Sequence, residues 1–425
     1  MSLFSSTLRD SNLRKPVMST MPPVDQNWTG FQNIDPESDH AKSIQDVLHH
    51  ANFNHLCSTA VDLRTRERAD TLASLTCAID KTKFTSGACN VVVALTFSDT
   101  TQWVARIQLP WNEDADDTSI STSMLSEIST MELIRSKTTI PVPRVVGHDT
   151  STKDIGYRYI LMEPLPGRVL NGRMALSIPD THKERFAAQL AGYFYELSTI
   201  RFNQIGRILY SHESNQYELF PFHMTGFSKE IGPISTSLEF FYLLRKGQTN
   251  AILKDHRGEQ EWEAAARFLE SSVTTMATEE NLYGPFPLCH IDFHYNNVLV
   301  DQDYNITGLL DWSNAQTVPI ERFAIIPEFI APPAAPAENK QAIEKFRDMF
   351  VDTLERIYVE KEGPLPVEGT TLSRLFASPR SDLVVRCTYS YPWRAIFDAR
   401  LALPLLHGEN ACWEDFQKYY TERSM

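Results

Sequence analysis

The stretch LCHIDFHYNNVLVDQDYNITGLLDW, residues 288–312, combines polar side chains that could support catalysis with two short apolar runs. The polar side chains of interest are His290, Asp292, His294, Asn297 and Asp311. An aspartate on an irregular loop can accept a proton from a hydroxyl. Asparagine and aspartate oxygens are ligands that Mg²⁺ prefers. The stretch therefore predicts a general base beside a magnesium site.

A β-hairpin is predicted to position these residues. NVLV and ITGLLDW are typical of strands, and DQDYN between them is typical of a turn. Because a hairpin brings its two ends together, Asn297 before the first strand is predicted to lie near Asp311 after the second. The order H-x-D-x-x-x-x-N, followed by a hairpin that ends in an aspartate, is the catalytic-loop and metal-site layout of kinases.

Two other interpretations of the same stretch stay open. The first is an ordinary hairpin with a polar turn and a histidine that caps a loop. The second is a metal site made by His290, Asp292 and His294, since alternate residues of a strand point the same way. This second interpretation leaves Asn297 and Asp311 without a role.

Composition limits the function classes. The 425 residues are 42% hydrophobic and 22% charged, which is typical of a globular protein, and the formal net charge is -14. A chain with this net negative charge is not expected to bind nucleic acid or an anionic membrane surface. No run of 18 apolar residues predicts a membrane span. Six cysteines without C-x-x-C spacing favour a cytoplasmic location, with a mitochondrial leader as the minor alternative because the N-terminus is rich in serine and basic residues.

The order of patterns predicts an α+β protein with two lobes. Residues 1–36 are polar and interrupted by proline, which predicts a flexible leader. Residues 37–165 begin with a helical pattern and continue as short strands with one further helix, which predicts a small antiparallel-sheet lobe. Residues 166–425 are mainly helical in pattern, with the hairpin as the main β element, and predict a larger lobe.

With these features in place, the chain resembles the aminoglycoside phosphotransferase and choline-kinase-like family of small-molecule kinases, and most closely its fungal branch. The segments that carry the resemblance follow in the family's order: FTSGACNVVVALTFSDTTQWVARI, SEISTMELIRSKTTIPVPRVVGHD, YILMEPLPG and the 288–312 stretch, which ends in Asp-Trp-Ser. The resemblance implies a protein-kinase-like fold, with ATP bound between the small lobe and the helical lobe.

The resemblance also implies roles for individual residues. Asp292 matches the catalytic base, Asn297 and Asp311 match the Mg²⁺ ligands, and His294 is the second catalytic candidate, as a donor to the γ-phosphate or as a packed loop residue. Glu127 is the expected ion-pair partner of Arg106, with Glu132 as the second choice. The expected nucleotide-binding residues are Ser86, Gly87, Ala88, Asn90, Arg106, Glu127, Met162, Glu163 and Leu165.

Two departures from the family pattern keep an alternative open. Arg106 stands where lysine is more common, and its planar guanidinium is larger and always charged. The hairpin expected to cover the phosphates contains only one glycine, Gly87. The sequence therefore predicts an ATP- and Mg²⁺-dependent phosphotransferase that acts on a small-molecule hydroxyl, with a nucleotide-binding pseudokinase or scaffold as the alternative. A protein kinase is less favoured because no A-P-E motif follows Asp311.

Overall fold

The computed structural model describes residues 27–67, 75–110, 117–170, 177–331, 336–367, 369–388 and 392–424. Most of the predicted flexible leader, residues 1–26, lies outside this part of the chain. The remaining leader residues contact the first strand of the small lobe. The Gly30 N–H donates to the Phe84 carbonyl at 2.8 Å, and the Phe31 ring packs edge-on against Phe84 with centroids 4.9 Å apart.

The helices have the following bounds: α1 Asp39–His50, α2 Phe53–Glu67, α3 Asp117–Lys137, α4 Asp180–Thr199, α5 Ser237–Asp255, α6 Gln260–Ser271, α7 Val273–Met276, α8 Ile320–Phe323, α9 Lys340–Glu362, α10 Leu372–Ala377, α11 Pro379–Thr388, α12 Ala395–His407 and α13 Trp413–Ser424. The strands have the following bounds: β1 Cys77–Ser86, β2 Asn90–Phe97, β3 Gln102–Gln108, β4 Val145–Asp149, β5 Tyr159–Met162, β6 Arg168–Val169, β7 Arg201–Phe202, β8 Arg207–Ser211, β9 Gln216–Phe220, β10 Phe286–Cys289, β11 Val298–Val300, β12 Ile306–Leu309 and β13 Gln316–Thr317.

The small lobe is a five-stranded antiparallel sheet in the order β1-β2-β3-β5-β4. Alternation along β3 buries Trp103, Ala105 and Ile107 in one core with α1 and α2. The opposite face carries Val104 and Arg106, and Val104 packs against a second core, which joins α3 and β5 to the large lobe. The period of two in this strand therefore turns Arg106 away from the first core and toward the space between the lobes.

Helix α3 packs between the two lobes. Its buried residues lie around most of its circumference, which fits a helix with neighbours on more than one side. The one further helix predicted for the small lobe is confirmed as α3.

The large lobe contains more β structure than its sequence pattern predicts. Beside the predicted hairpin β11–β12, which is extended by β6, it holds a second sheet in the order β7-β10-β13-β8-β9. Strands β7 and β13 are only two residues long, so they leave no periodicity to read in the sequence. The expectation that the hairpin is the main β element after residue 166 is therefore wrong.

The architecture confirms the predicted fold class. A small lobe built on an antiparallel sheet precedes a larger, mainly helical lobe, in a protein-kinase-like α+β fold. Within the described residues, no helix is both long and apolar enough to cross a membrane.

Candidate active site

The loop over residues 290–297, which is predicted to be catalytic and is called the catalytic loop below, connects β10 to β11 and is held by bonds to its own neighbours. The side-chain amide of Asn297 donates from Nδ2 to the Asp292 carbonyl at 3.0 Å. The Leu310 N–H donates to the Asn297 carbonyl at 2.8 Å, across the paired strands β11 and β12. The hairpin thus brings the region of Asn297 next to the residue that precedes Asp311, as its sequence predicts.

His290 is a structural residue of this loop. Its Nε2 lies 2.9 Å from the Leu310 carbonyl, and its ring packs on Trp312 with centroids 4.6 Å apart. Burial lowers the pKa of His290, which favours the neutral ring. Because Nε2 of His290 is engaged with the Leu310 carbonyl, a metal site made by His290, Asp292 and His294 is not supported. No group of three or more His, Cys, Asp or Glu side chains suited to a metal occurs in the part of the chain that the structure describes.

Asp292 and His294 form an exposed pair at the mouth of the loop. His294 Nε2 lies 3.4 Å from Asp292 Oδ2, and the side chains are 40% and 55% exposed, respectively. The hydrogen bond from His294 lowers the pKa of Asp292, and the same bond raises the pKa of His294. Asp292 is thus an ionised carboxylate open to solvent at neutral pH, with one oxygen oriented by His294.

The ring of His294 also fixes the turn that leads to Asn297. Its Nδ1 accepts a hydrogen bond from the Asn296 N–H at 3.2 Å. An accepting Nδ1 places the proton of the neutral ring on Nε2, which is the atom that faces Asp292. In the structure His294 therefore orients Asp292 and packs in the loop. Its predicted contact with a γ-phosphate stays a prediction.

Asp311 lies two residues after the end of β12 and adopts a left-handed backbone conformation, with φ of 59°. Aspartate tolerates this conformation better than most non-glycine residues. Its Oδ1 accepts a hydrogen bond from the Ser313 hydroxyl, and its side chain is 42% exposed. Behind it, Trp312 is fully buried and donates from Nε1 to the Leu309 carbonyl at 3.1 Å. The buried indole anchors the turn that presents the Asp311 carboxylate.

Arg106 of β3 lies between the carboxylates of α3 and the hairpin. Its Nη1 donates to Glu127 Oε1 at 2.6 Å, and Nη2 donates to Glu127 Oε2. Its Nη1 also lies 4.0 Å from Asp311 Oδ1. Burial acts to lower the pKa of Arg106, but the Glu127 and Asp311 carboxylates outweigh burial and raise it. The expected ion pair with Glu127 is confirmed, and the second choice, Glu132, is exposed and does not make it.

The turn between β1 and β2 places Ser86 and Asn90 at its two ends, with Gly87 and Ala88 exposed. The Gly87 N–H donates to the Asn90 carbonyl at 3.0 Å, so this N–H is already engaged. A β-carbon at Gly87 would meet no atom within 4 Å. The backbone therefore does not require glycine at this position, and binding of phosphates by the turn stays a prediction.

Sequence reasoning missed Cys89 in the same turn. Burial raises the pKa of its thiol, the charge of Asp311 adds to the increase, and Arg106 opposes it. The thiol therefore lies within electrostatic reach of both charged groups. The position of Cys89 between Ala88 and Asn90, both predicted to bind nucleotide, is the sequence signal that indicates its place beside the site.

The connection after β5 holds the residues predicted to contact adenine. Met162 is buried at the end of the strand, and the Glu163 carboxylate accepts from Arg144 Nη2 at 2.8 Å. Leu165 packs closely over Gly308 of β12: a β-carbon at Gly308 would lie only 2.9 Å from Leu165 Cδ1. The connection therefore covers the hairpin that ends at Asp311, and adenine binding there stays a prediction.

Comparisons with known proteins agree with this architecture. Residues 81–344 match the phosphotransferase enzyme family (APH), which is more than half of the chain. The chain belongs to this family, so the resemblance to it seen in the sequence is confirmed, while the assignment to a fungal branch stays a prediction.

Individual relatives are more distant. A subtelomeric hrmA-associated cluster protein of Aspergillus fumigatus Af293 is 29% identical over 164 residues, which is 38% of this chain and 30% of that protein. Its counterpart in the A1163 strain gives the same identity and coverage. The matched stretch thus spans less than a third of these curated relatives.

Among solved structures, the chain is similar to the GDP complex of wild-type aminoglycoside 2'-phosphotransferase-IIIa, at 14% identity and a TM-score of 0.42, covering 88% of this chain and 100% of that one. It is also similar to the streptomycin–ATP–APH(2")-IIa ternary complex, at 13% identity and a TM-score of 0.43, covering 84% of this chain and 97% of that one.

Proposed function

We propose that this phosphotransferase moves the γ-phosphate of ATP to a hydroxyl of a small molecule, with Mg²⁺ as cofactor, in the cytoplasm. The observation that carries the proposal is the contact across the lobes: Arg106, bound to Glu127, lies 4.0 Å from Asp311, which follows the hairpin that Asn297 precedes. A cation held between these groups suits the phosphates of a nucleotide.

The residues at the predicted metal site fit Mg²⁺. The amide nitrogen of Asn297 is committed to the Asp292 carbonyl, which turns its oxygen away from that bond. The Asp311 carboxylate is partly exposed and supplies a second hard oxygen. Asn297 and Asp311 would hold the ion, which would neutralise charge on the phosphate oxygens when bound.

Asp292 would orient the acceptor and receive its proton. The hydroxyl oxygen forms the new bond to phosphorus while the bond from phosphorus to the bridging oxygen of ATP breaks, and the hydroxyl proton passes to Asp292. The lowered pKa of Asp292 keeps the carboxylate ready to accept this proton at neutral pH. His294 would hold it in place through the 3.4 Å contact.

Arg106 would supply the fixed positive charge on the phosphates. Glu127 limits the directions the guanidinium can take, because both of its carboxylate oxygens accept from Arg106. Such preorganised charge is where enzymes that transfer phosphoryl groups gain most of their rate.

A second candidate function, nucleotide binding without turnover, is favoured by one observation. The Arg106 guanidinium already approaches Asp311, so part of the positive charge that a metal ion would supply is present without the metal. A binder of this kind has no need for Asp292. The role of Asp292 therefore decides between the enzyme and the binder.

The experiment that tests the proposal is a screen of ATP consumption by the purified chain against aminoglycosides, amino alcohols and other hydroxyl-bearing metabolites. Asp292→Asn serves as the background for each compound, and Asp303→Asn, a change of an exposed aspartate in the hairpin turn, serves as the matched control. The proposal expects at least one compound to raise consumption in the parent and in Asp303→Asn only. Equal rates in the parent and Asp292→Asn for every compound would favour the binder.

A further inference from the structure

Helix α3 carries Glu127 and is also bonded to strand β8 of the large lobe. Arg207, the first residue of β8, donates from Nη1 to Ser123 Oγ at 3.0 Å. Three residues further along β8, the Tyr210 N–H donates to Ser129 Oγ at 3.1 Å. The strand thus bonds to α3 at two points about a turn and a half apart.

Glu230 joins the guanidinium of Arg207 to the N-terminal turn of α3. It accepts from Arg207 Nη2 at 2.9 Å through Oε2, and from Ser119 Oγ at 2.8 Å through Oε1. His223 Nε2 lies 2.9 Å from the same hydroxyl, at the exposed edge. Arg207 is only 7% exposed, so its charge is a fixed part of the contact between the lobes.

The serine and threonine content of α3 allows this close contact. Residues spaced by three or four positions lie on one face of a helix. In α3 that face carries Ser119, Ser123, Ser126 and Thr130, and the last two are buried. Small side chains let β8 approach the helix, and Glu127, one turn after Ser123, extends toward Arg106.

We propose that Arg207, together with Glu230, is a positioning residue that fixes α3 against β8 and thereby sets the location of Glu127 and Arg106 in the nucleotide site. Arg207 itself touches neither Arg106 nor the catalytic loop in the contacts described. Its effect on catalysis rests on the proposed function, whereas its effect on α3 does not.

Hydrogen–deuterium exchange tests the effect on α3 directly. Arg207→Ala should speed exchange of residues 117–137 while the catalytic loop keeps its protection. Arg347→Ala, which removes another partly buried arginine of the large lobe paired at 3.4 Å with Asp382, should leave α3 unchanged. Ser129→Ala is a milder variant that removes only the acceptor of the Tyr210 N–H. It should speed exchange in the same helix, even if Arg207→Ala does not fold.

Unchanged exchange of α3 in Arg207→Ala and Ser129→Ala would overturn the proposal. So would a uniform increase over the whole chain, because that is the signature of a merely structural arginine. If neither variant changes the exchange of α3, the contacts between α3 and β8 are ordinary packing and have no positioning role.

Steady-state kinetics tests the consequence for nucleotide binding. Arg207→Ala should raise the KM for Mg-ATP roughly two- to thirtyfold, the range for residues that couple to a site from outside it. The kcat should change less, and Arg207→Lys should restore part of the KM. An unchanged KM with faster α3 exchange would overturn the link from α3 to the site. If the parent neither binds nor consumes Mg-ATP, the proposed function fails. The exchange experiment still shows whether Arg207 fixes α3 against β8.

Discussion

The catalytic loop and helix α3 contribute to one site but are held in opposite ways. The loop is fixed by bonds within the same short segment, from Asn297 to the Asp292 carbonyl and from His290 to the Leu310 carbonyl, over 5 and 20 residues. Helix α3 is fixed by bonds from Arg207 and Tyr210, over 84 and 81 residues. Short closures lose less chain entropy than long ones. The loop is therefore the more self-contained half of the site, and α3 depends on how the lobes meet.

The largest expected effect falls in the self-contained half. Asp292→Asn should lower turnover by roughly 10²–10⁴-fold, the usual contribution of a positioned acid–base group, because the amide cannot accept the hydroxyl proton. Its affinity for Mg-ATP should stay close to that of the parent. Turnover can be followed as acceptor phosphorylation or, before an acceptor is identified, as slow ATP hydrolysis, and binding by calorimetry.

Asp311→Asn is the companion variant and should behave differently. It removes a charged ligand from the metal site, so both binding and turnover should fall. The loss of binding should shrink when Mg²⁺ is omitted. Equal losses of Mg-ATP binding in Asp292→Asn and Asp311→Asn would contradict the separate roles of the base in the loop and the metal ligand after β12.

A smaller effect is expected where the two halves meet. Arg106→Met should weaken Mg-ATP binding roughly 10- to 150-fold, which corresponds to the ~1.5–3 kcal/mol of hydrogen bonds from a charged group. Arg106→Lys should keep much of the activity, because lysine also places a cation near the phosphates. Arg64→Met, which removes an arginine of the small lobe paired at 3.3 Å with Asp99, is the matched control. Parent-like binding in Arg106→Met would remove Arg106 from the nucleotide site.

The smallest effect concerns the pH dependence of the loop. Because the bond from His294 lowers the pKa of Asp292, His294→Ala should raise that pKa and move the acid limb of the kcat profile to higher pH. His49→Ala, at an exposed histidine of α1, should leave the profile unchanged. An acid limb in His294→Ala at the position of the parent would show that His294 does not orient the base.

The same pair predicts the sign of a stability change with pH. His294 has a raised pKa in the folded chain, so its contribution is complete below the ordinary histidine pKa and is lost as pH rises through the raised value. Asp292 has a lowered pKa, so its contribution is present above the ordinary aspartate pKa and is lost as pH falls through the lowered value. The difference in unfolding temperature between the parent and His294→Ala should therefore be largest between the two pKa values. It should vanish at pH above the raised pKa of His294 and at pH below the lowered pKa of Asp292.

What the sequence could predict follows the same division between local and distant contacts. The hairpin, the proximity of Asn297 to Asp311 and the alternation that turns Arg106 toward α3 all depend on neighbours within one or two elements. The short strands β7 and β13 and the bonds from Arg207 to α3 depend on pairing between distant segments. A single sequence carries no periodic signal for such pairing, so these features were missed. The site roles themselves stay predictions.

The most direct test of the central claim is the response of thermal unfolding to Mg-ATP. If residues of both lobes form one nucleotide site, Mg-ATP at a hundredfold excess over its Kd should stabilise the parent by about 2.7 kcal/mol. ATP with a chelator should give much less, since Asn297 and Asp311 would then lack the ion that links them to the phosphates. No response of the folded chain to millimolar Mg-ATP would contradict both the enzyme and the binder.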